Sequence, residues 1–130
     1  MKFFIALVLA LAVCGFASAQ QSGGGPQQGA YVPIQWDANN QTLADILNFG
    51  VQSGVSEAIT AGQITNNNEW FWTNVLSVQA QVIPNDGTFF DFIVDIEDIN
   101  GDTARMEVIV FALPPDYSAM SLDNWAVLKM

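Results

Sequence analysis

The chain has 130 residues, 13 of them acidic and three basic, with one cysteine and no histidine. This balance excludes nucleic acid and anionic membrane surfaces as partners, because both are held through clustered Lys and Arg. Most acid–base and nucleophilic catalysis goes with the missing residues, so the chain is not read as an enzyme and no catalytic, metal or cofactor residue is assigned.

Lys2, the apolar run Phe3 to Val13 and the small side chains Ala17-Ser18-Ala19 have the order of a secretory signal, with cleavage expected after Ala19. An apolar run of 11 residues is too short to span a bilayer core, which takes roughly 20, so the product is expected to be secreted and soluble. Cys14 and Lys2 leave with the leader; Arg105 and Lys129 then stand against 13 acids, a net charge of −11. A mature chain without cysteine holds its fold by packing alone, and its length allows one domain. Three segments result: a signal peptide at 1–19, a flexible arm at 20–36, and a domain at 37–130.

Gln20 to Gly29 is Gln, Ser, Gly and Pro with nothing to bury, the composition of a mobile arm. Tyr31 to Trp36 adds an extended lead-in around Pro33. From Thr42 to Ala61 the apolar residues Leu43, Ile46, Leu47, Val51, Val55, Ala58 and Ile59 recur at helical spacing. Asn40 or Thr42 is placed to cap this helix, Asp45 suits its positive end and Gly62 its stop. Gly50 and Gly54 fall on the apolar stripe, where the lack of a side chain permits close approach to a sheet.

Beyond a polar loop at Gln63 to Glu69 the period changes to two. Trp70, Trp72, Leu76, Val78, Ala80 and Val82 mark one face of a long strand, and a turn at Pro84-Asn85-Asp86-Gly87 follows. Phe90, Phe92, Val94 and Ile96 define a second strand, and Met106, Val108, Val110 and Ala112 a third. Pro114-Pro115 ends the third, and a last strand runs from about Leu122 to Lys129. A two-residue turn at Asn100-Gly101 would set Ile96 against Arg105 and Val94 against Glu107. A loop one residue longer, with a left-handed Gly101 or Asn100, restores apolar pairs and is expected to bring Arg105 opposite Glu97. The fold class is α+β: one long helix packed across a four- to five-stranded antiparallel sheet.

Several strings in this order resemble the cystatin family of cysteine-protease inhibitors. Ile46-Leu47-Asn48-Phe49-Gly50-Val51 is similar to the family's helix signature. Gln81-Val82-Ile83 followed by Gly87 resembles its Q-x-V-x-G first hairpin loop, and Phe111-Ala112-Leu113-Pro114 its approach to the second hairpin. The similarity runs over about residues 29 to 130 and implies a secreted, cystatin-like wedge. Such a wedge would fill the cleft of a papain-like cysteine protease (cathepsin type) noncovalently, as a monomer. Carried over position by position, Gly29 matches the hinge glycine of the arm, with Gly25 as a substitute. Gln81, Val82, Ile83 and Gly87 match the first loop, and Pro114 and Pro115 stand at the second. The chain departs from the pattern in a first loop two residues longer, in Pro115 where the family carries Trp, and in the absence of disulfides.

Other groupings point elsewhere. Asp95, Glu97, Asp98, Asn100 and Asp102 crowd one turn, but with Gly101 at the glycine position of a calcium loop the first ligand falls on Ile96, so the register fails and a solvated acidic turn is expected. Trp70 and Trp72 share the apolar face of their strand and are read as core. Asn40-Gln41-Thr42 is an N-glycosylation sequon, which makes Asn40 either a glycan carrier or only a helix cap. The alternative to inhibition is a non-inhibitory secreted protein of the same fold that binds another protein, for instance through an acidic face of Asp91, Asp95, Glu97 and Asp102. A small secreted hydrolase is disfavoured by the missing His and Cys.

Overall fold

The switch in apolar period from 3.6 to two becomes one helix followed by a strand meander in the computed structural model, which describes residues 30–65 and 69–130. The expected signal peptide, the arm up to Gly29 and Gly29 itself lie outside the described residues. The lead-in forms β1 (Val32–Pro33), confined to a sheet edge because Pro33 has no N–H to donate. The helix α1 (Gln41–Thr60) follows, and then β2 (Trp70–Ile83), β3 (Gly87–Asp98), β4 (Thr103–Leu113) and β5 (Ala119–Lys129). All pairings are antiparallel in the order β1-β2-β3-β4-β5. The described residues therefore form an α+β fold, with one helix on a five-stranded antiparallel sheet. Among the described residues no helix is long and apolar enough to cross a membrane.

Of the two candidate caps, Asn40 does the work: its Oδ1 accepts the Leu43 N–H at 3.1 Å, satisfying one of the helix's free donors. Gly62 takes the left-handed conformation beyond the last turn, φ +75°. Leu43, Ile46, Leu47, Gly50, Val51, Gly54, Val55 and Ala58 form the buried stripe. It shares one core with Phe92, Val94 and Ile96 of β3 and Met106, Val108 and Val110 of β4, none of them exposed. The two helical glycines are the contact points. A Cβ on Gly50 would stand 2.8 Å from Val110 Cγ2, and one on Gly54 2.8 Å from Val108 Cγ1. Ile64, in the loop expected to be polar, closes the end of this core.

Three sequence expectations are corrected. In β2 it is Val75, not Leu76, that packs on the core, and Leu76 is exposed. Register shifts between Trp72 and Asn74 and between Val75 and Ser77 each add one residue to β2. Together they restore the original parity for Val78 and Ala80, so strict alternation was right at both ends and wrong between them. Second, the β3–β4 turn is longer than two residues and Gly101 is left-handed at φ +92°, but Arg105 faces Asp95 rather than Glu97. The extra loop residue is Ile99, not Asp102, because Asp98 Oδ1 accepts the N–H groups of both Asn100 and Asp102 at 2.9 Å. Third, the acidic turn is not wholly solvated: Asp98 is buried, and Asp91, assigned to an acidic face, is buried beside Glu107 on the side of the sheet away from α1.

Candidate functional site

Antiparallel pairing fixes which turns share an end of the sheet. Ile83 pairs with Gly87, Thr88 with Ala112, and Ala112 with Met120. The β2–β3 and β4–β5 hairpins therefore emerge side by side, with the β3–β4 turn at the opposite end. The pairing of Val32 with Ala80 and Pro33 with Gln79 brings the lead-in to the hairpin end as well. Three segments distant in sequence, Ala30–Val32, Val82–Gly87 and Leu113–Ser118, thus define one edge.

The first hairpin is tighter than the string Gln81 to Gly87 implies. Gln81, Val82 and Ile83 are not loop residues; they pair with Phe89, Thr88 and Gly87 as the last rungs of β2. The turn proper is Pro84-Asn85-Asp86, with Asn85 left-handed at φ +67° and the Asp86 N–H donating to the Ile83 carbonyl at 3.0 Å. Proline at its head and an asparagine that tolerates positive φ close the hairpin in three residues, so the ladder reaches Ile83. Gly87 is buried because the second hairpin's strand leaves no room for a side chain. A Cβ there would stand 2.6 Å from Phe111 Cζ and 2.8 Å from the Ala112 carbonyl oxygen.

In the second hairpin Pro114, Pro115 and Asp116 are exposed at the tip, and the Pro114–Pro115 peptide bond is cis. Tyr117 holds the turn from inside. It is left-handed at φ +60°, unusual for a large residue, donates its N–H to the Leu113 carbonyl at 2.9 Å, and sets its ring edge-on to Phe90 at 5.8 Å. Asp116 Oδ1 accepts both the N–H and the hydroxyl of Ser118. These bonds, the backbone one foremost, hold the Asp116 carboxyl below the usual range.

The edge exposes apolar surface between two carboxylates. Val32 and Val82 are 58% exposed and Leu113 is 40% exposed, while Asp86 and Asp116 cap the two turns. Beside the second hairpin a recess of about 220 Å³ is lined by Thr42, Asp45, Asp116, Tyr117, Ser118 and Met120, so the start of α1 borders the same end. The two cations of the described chain are far from it. Arg105 and Lys129 pair across β4 and β5 towards the other end, where Arg105 Nε donates to Asp95 Oδ1 at 2.8 Å and holds that carboxyl low.

Behind the lead-in, Tyr31 sits over the face opposite α1. Burial raises its phenol, and the charges of Asp91, Asp123 and Glu107 raise it further. Asp91 is pushed up to about 10, first by burial and then by its hydrogen bond to, and the charge of, Glu107. Burial also raises Asp123. Among the described residues no three His, Cys, Asp or Glu side chains gather to hold a metal ion.

Of the residues singled out in the sequence, Val82, Ile83, Gly87, Pro114 and Pro115 come together at the edge. Gln81 is half-buried one rung inside it, and Gly29 lies outside the described residues. Val32, Leu113 and Tyr117 were missed. Leu113 follows the apolar Ile109 and Phe111 at outward positions of β4 and so did not stand out in the sequence, and nothing there marks the left-handed backbone of Tyr117. No protein-family model, no curated protein and no solved structure matches the chain.

Proposed function

We propose that the chain is a secreted, cystatin-like inhibitor that occupies the active-site cleft of papain-like cysteine proteases as a noncovalent wedge. The observation that carries this reading is the convergence of both hairpins and the lead-in on one edge, with Val32, Val82 and Leu113 exposed there. An edge that presents apolar side chains on a ladder-bonded scaffold loses little conformational freedom on binding, and so keeps more of its contact energy as affinity.

A second reading, a non-inhibitory protein of the same fold that binds another protein, draws on the hairpin tips. Pro84-Asn85-Asp86 is a proline-stiffened, charged turn, and Pro115 stands where the family's aromatic anchor would be. The nearest aromatic residue, Tyr117, is turned onto Phe90. Loss of an exposed aromatic anchor commonly removes about 2 kcal/mol or more of binding.

Titration of papain and a cathepsin L-like enzyme with the secreted protein separates the two. Inhibition that Val82→Asp weakens without altering the unfolding transition supports the wedge, since Val82 is largely exposed. Full protease activity at micromolar protein would leave the second reading standing.

A further inference from the structure

The sequence presents Asn40 as a helix cap or a glycan carrier. The two roles use different atoms of the side chain. Asn40 holds the N-cap conformation, φ −82° and ψ 100°, and uses only its carbonyl oxygen, Oδ1, to accept the Leu43 N–H. Its amide nitrogen, Nδ2, donates no hydrogen bond among the described residues. Asn40, Gln41 and Thr42 are all exposed. Gln41 directs its own amide to Asp45 Oδ1, one helical turn on, at 2.7 Å. An N-glycosidic bond forms at Nδ2 and leaves the amide carbonyl intact, so a sugar on this residue does not compete with the cap.

We propose that Asn40 carries an N-linked glycan and caps α1 at the same time. The inference rests on the secretion reading, since the modification is made in the secretory pathway. In the transfer, Nδ2 attacks C1 of a lipid-pyrophosphate-linked oligosaccharide. The new N–C1 bond replaces the C1–O bond, the pyrophosphate leaves on the lipid, and Nδ2 gives up one proton. The hydroxyl that a sequon requires two residues on is supplied by Thr42, exposed on the first turn of the helix. Thr42 and Asp45 also line the recess beside the second hairpin, so the sugar is rooted next to the edge assigned to partner binding.

The test is translation of the full chain in the presence of microsomes, and secretion from eukaryotic cells, followed by mass analysis before and after peptide N-glycosidase. The expected result is a glycan-bearing, protease-protected chain whose Asn40 becomes aspartate on enzyme treatment. Thr42→Ala and Asn40→Asp abolish the glycan but keep an oxygen at the cap, and their unfolding midpoints match that of the enzymatically deglycosylated parent. Asn40→Ala loses glycan and cap together, with a drop of about fivefold in the folded-to-unfolded ratio against that same reference. A protected or secreted chain with an unmodified Asn40 overturns the proposal. So does a glycosylated chain in which Asn40→Ala is as stable as Asn40→Asp, because the cap would then be idle. A chain left outside the microsomes overturns the secretion reading, and this inference with it; protease protection tells the two failures apart.

Discussion

Replacing Gly50 by alanine sets two opposing effects against each other at one atom. In an exposed helix interior the change stabilises by roughly 1 kcal/mol, because alanine loses less backbone freedom on folding. Here the added Cβ would lie 2.8 Å from Val110 Cγ2 and 2.9 Å from Val108 Cγ2, closer than carbon atoms pack. Both valines are fully buried on β4, which is paired on both sides, and a β-branched side chain has little rotamer freedom with which to retreat. Overpacking of this kind costs about 1–3 kcal/mol, and two stiff contacts favour the upper half of that range. The net expectation for Gly50→Ala is a loss of about 1–2 kcal/mol, read as a lower urea midpoint at unchanged slope. Gly54→Ala meets one valine methyl at 2.8 Å and the flexible Met106 sulfur at 3.4 Å, so it should fall closer to neutral. Val110→Ala should cost less in the Gly50→Ala background than in the parent, since it removes one of the clashing methyls. If Gly50→Ala were more stable than the parent by the helix-propensity increment, α1 would not rest on β4, and the core described above would be wrong.

Other perturbations probe the sheet. Asp91 has a raised pKa in the folded state and one near 3.8 when unfolded, so the folded protein retains a proton the unfolded chain gives up. Stability then declines as pH climbs from about 4 towards 10, at no more than about 1.4 kcal/mol per unit. Glu107 and Tyr31, an acid and a phenol, are the titratable groups that interact with it, and neither offsets the effect. Asp91→Asn should flatten that decline, and urea midpoints that track the parent at every pH would contradict it. Asp98→Ala strands two backbone N–H groups of the β3–β4 turn, at a cost of about 1–3 kcal/mol, and should speed hydrogen exchange at Asn100 and Asp102; unchanged protection there would refute the role given to Asp98 Oδ1. Arg105→Gln should change stability little at low salt and not at all at high salt, as the Arg105–Asp95 pair is open to solvent; a large, salt-independent loss would count against that view.

What the sequence revealed and what it concealed divide along physical lines. The helix was legible because twenty residues repeat one period and carry a capping asparagine and a terminal glycine, and local signals of that kind add up. Gly50 and Gly54 announced a close approach because nothing else compensates for glycine inside a helix. The inner face of β2 was only partly legible. A one-residue bulge changes which side chains face inward without altering composition, and Leu76 differs from Val75 in nothing that local sequence reports. The Arg105 pairing failed for a related reason. Apolar matching excluded the two-residue turn but left two registers of the longer one, and the choice fell to hydrogen bonds from Asp98. At the edge, the prolines and Gly87 marked the hairpins, while Val32 gained its place only through pairing with Ala80, a contact between residues 48 apart in the chain.

The edge is rigid for a reason that begins in β3. Its first residues are aromatic on both faces, so each hairpin is gripped from a different side of the sheet. Phe89 stacks obliquely on Phe111 at 4.7 Å on the face away from α1, and Phe111 in turn fills the space above Gly87. Phe90, on the helix side, meets Tyr117 edge-on and lies near Phe92, which is fully buried under α1. The first turn is thus held through Phe89, Phe111 and Gly87, and the second through Phe90 and Tyr117. A partner that presses on Pro84-Asn85-Asp86 or on Pro114-Pro115-Asp116 works against the core through Phe89 and Phe90. For a binding edge this is the useful arrangement: the tips keep short, irregular backbone in which left-handed residues such as Asn85 and Tyr117 set the shape, while the ordering cost falls on folding rather than on association.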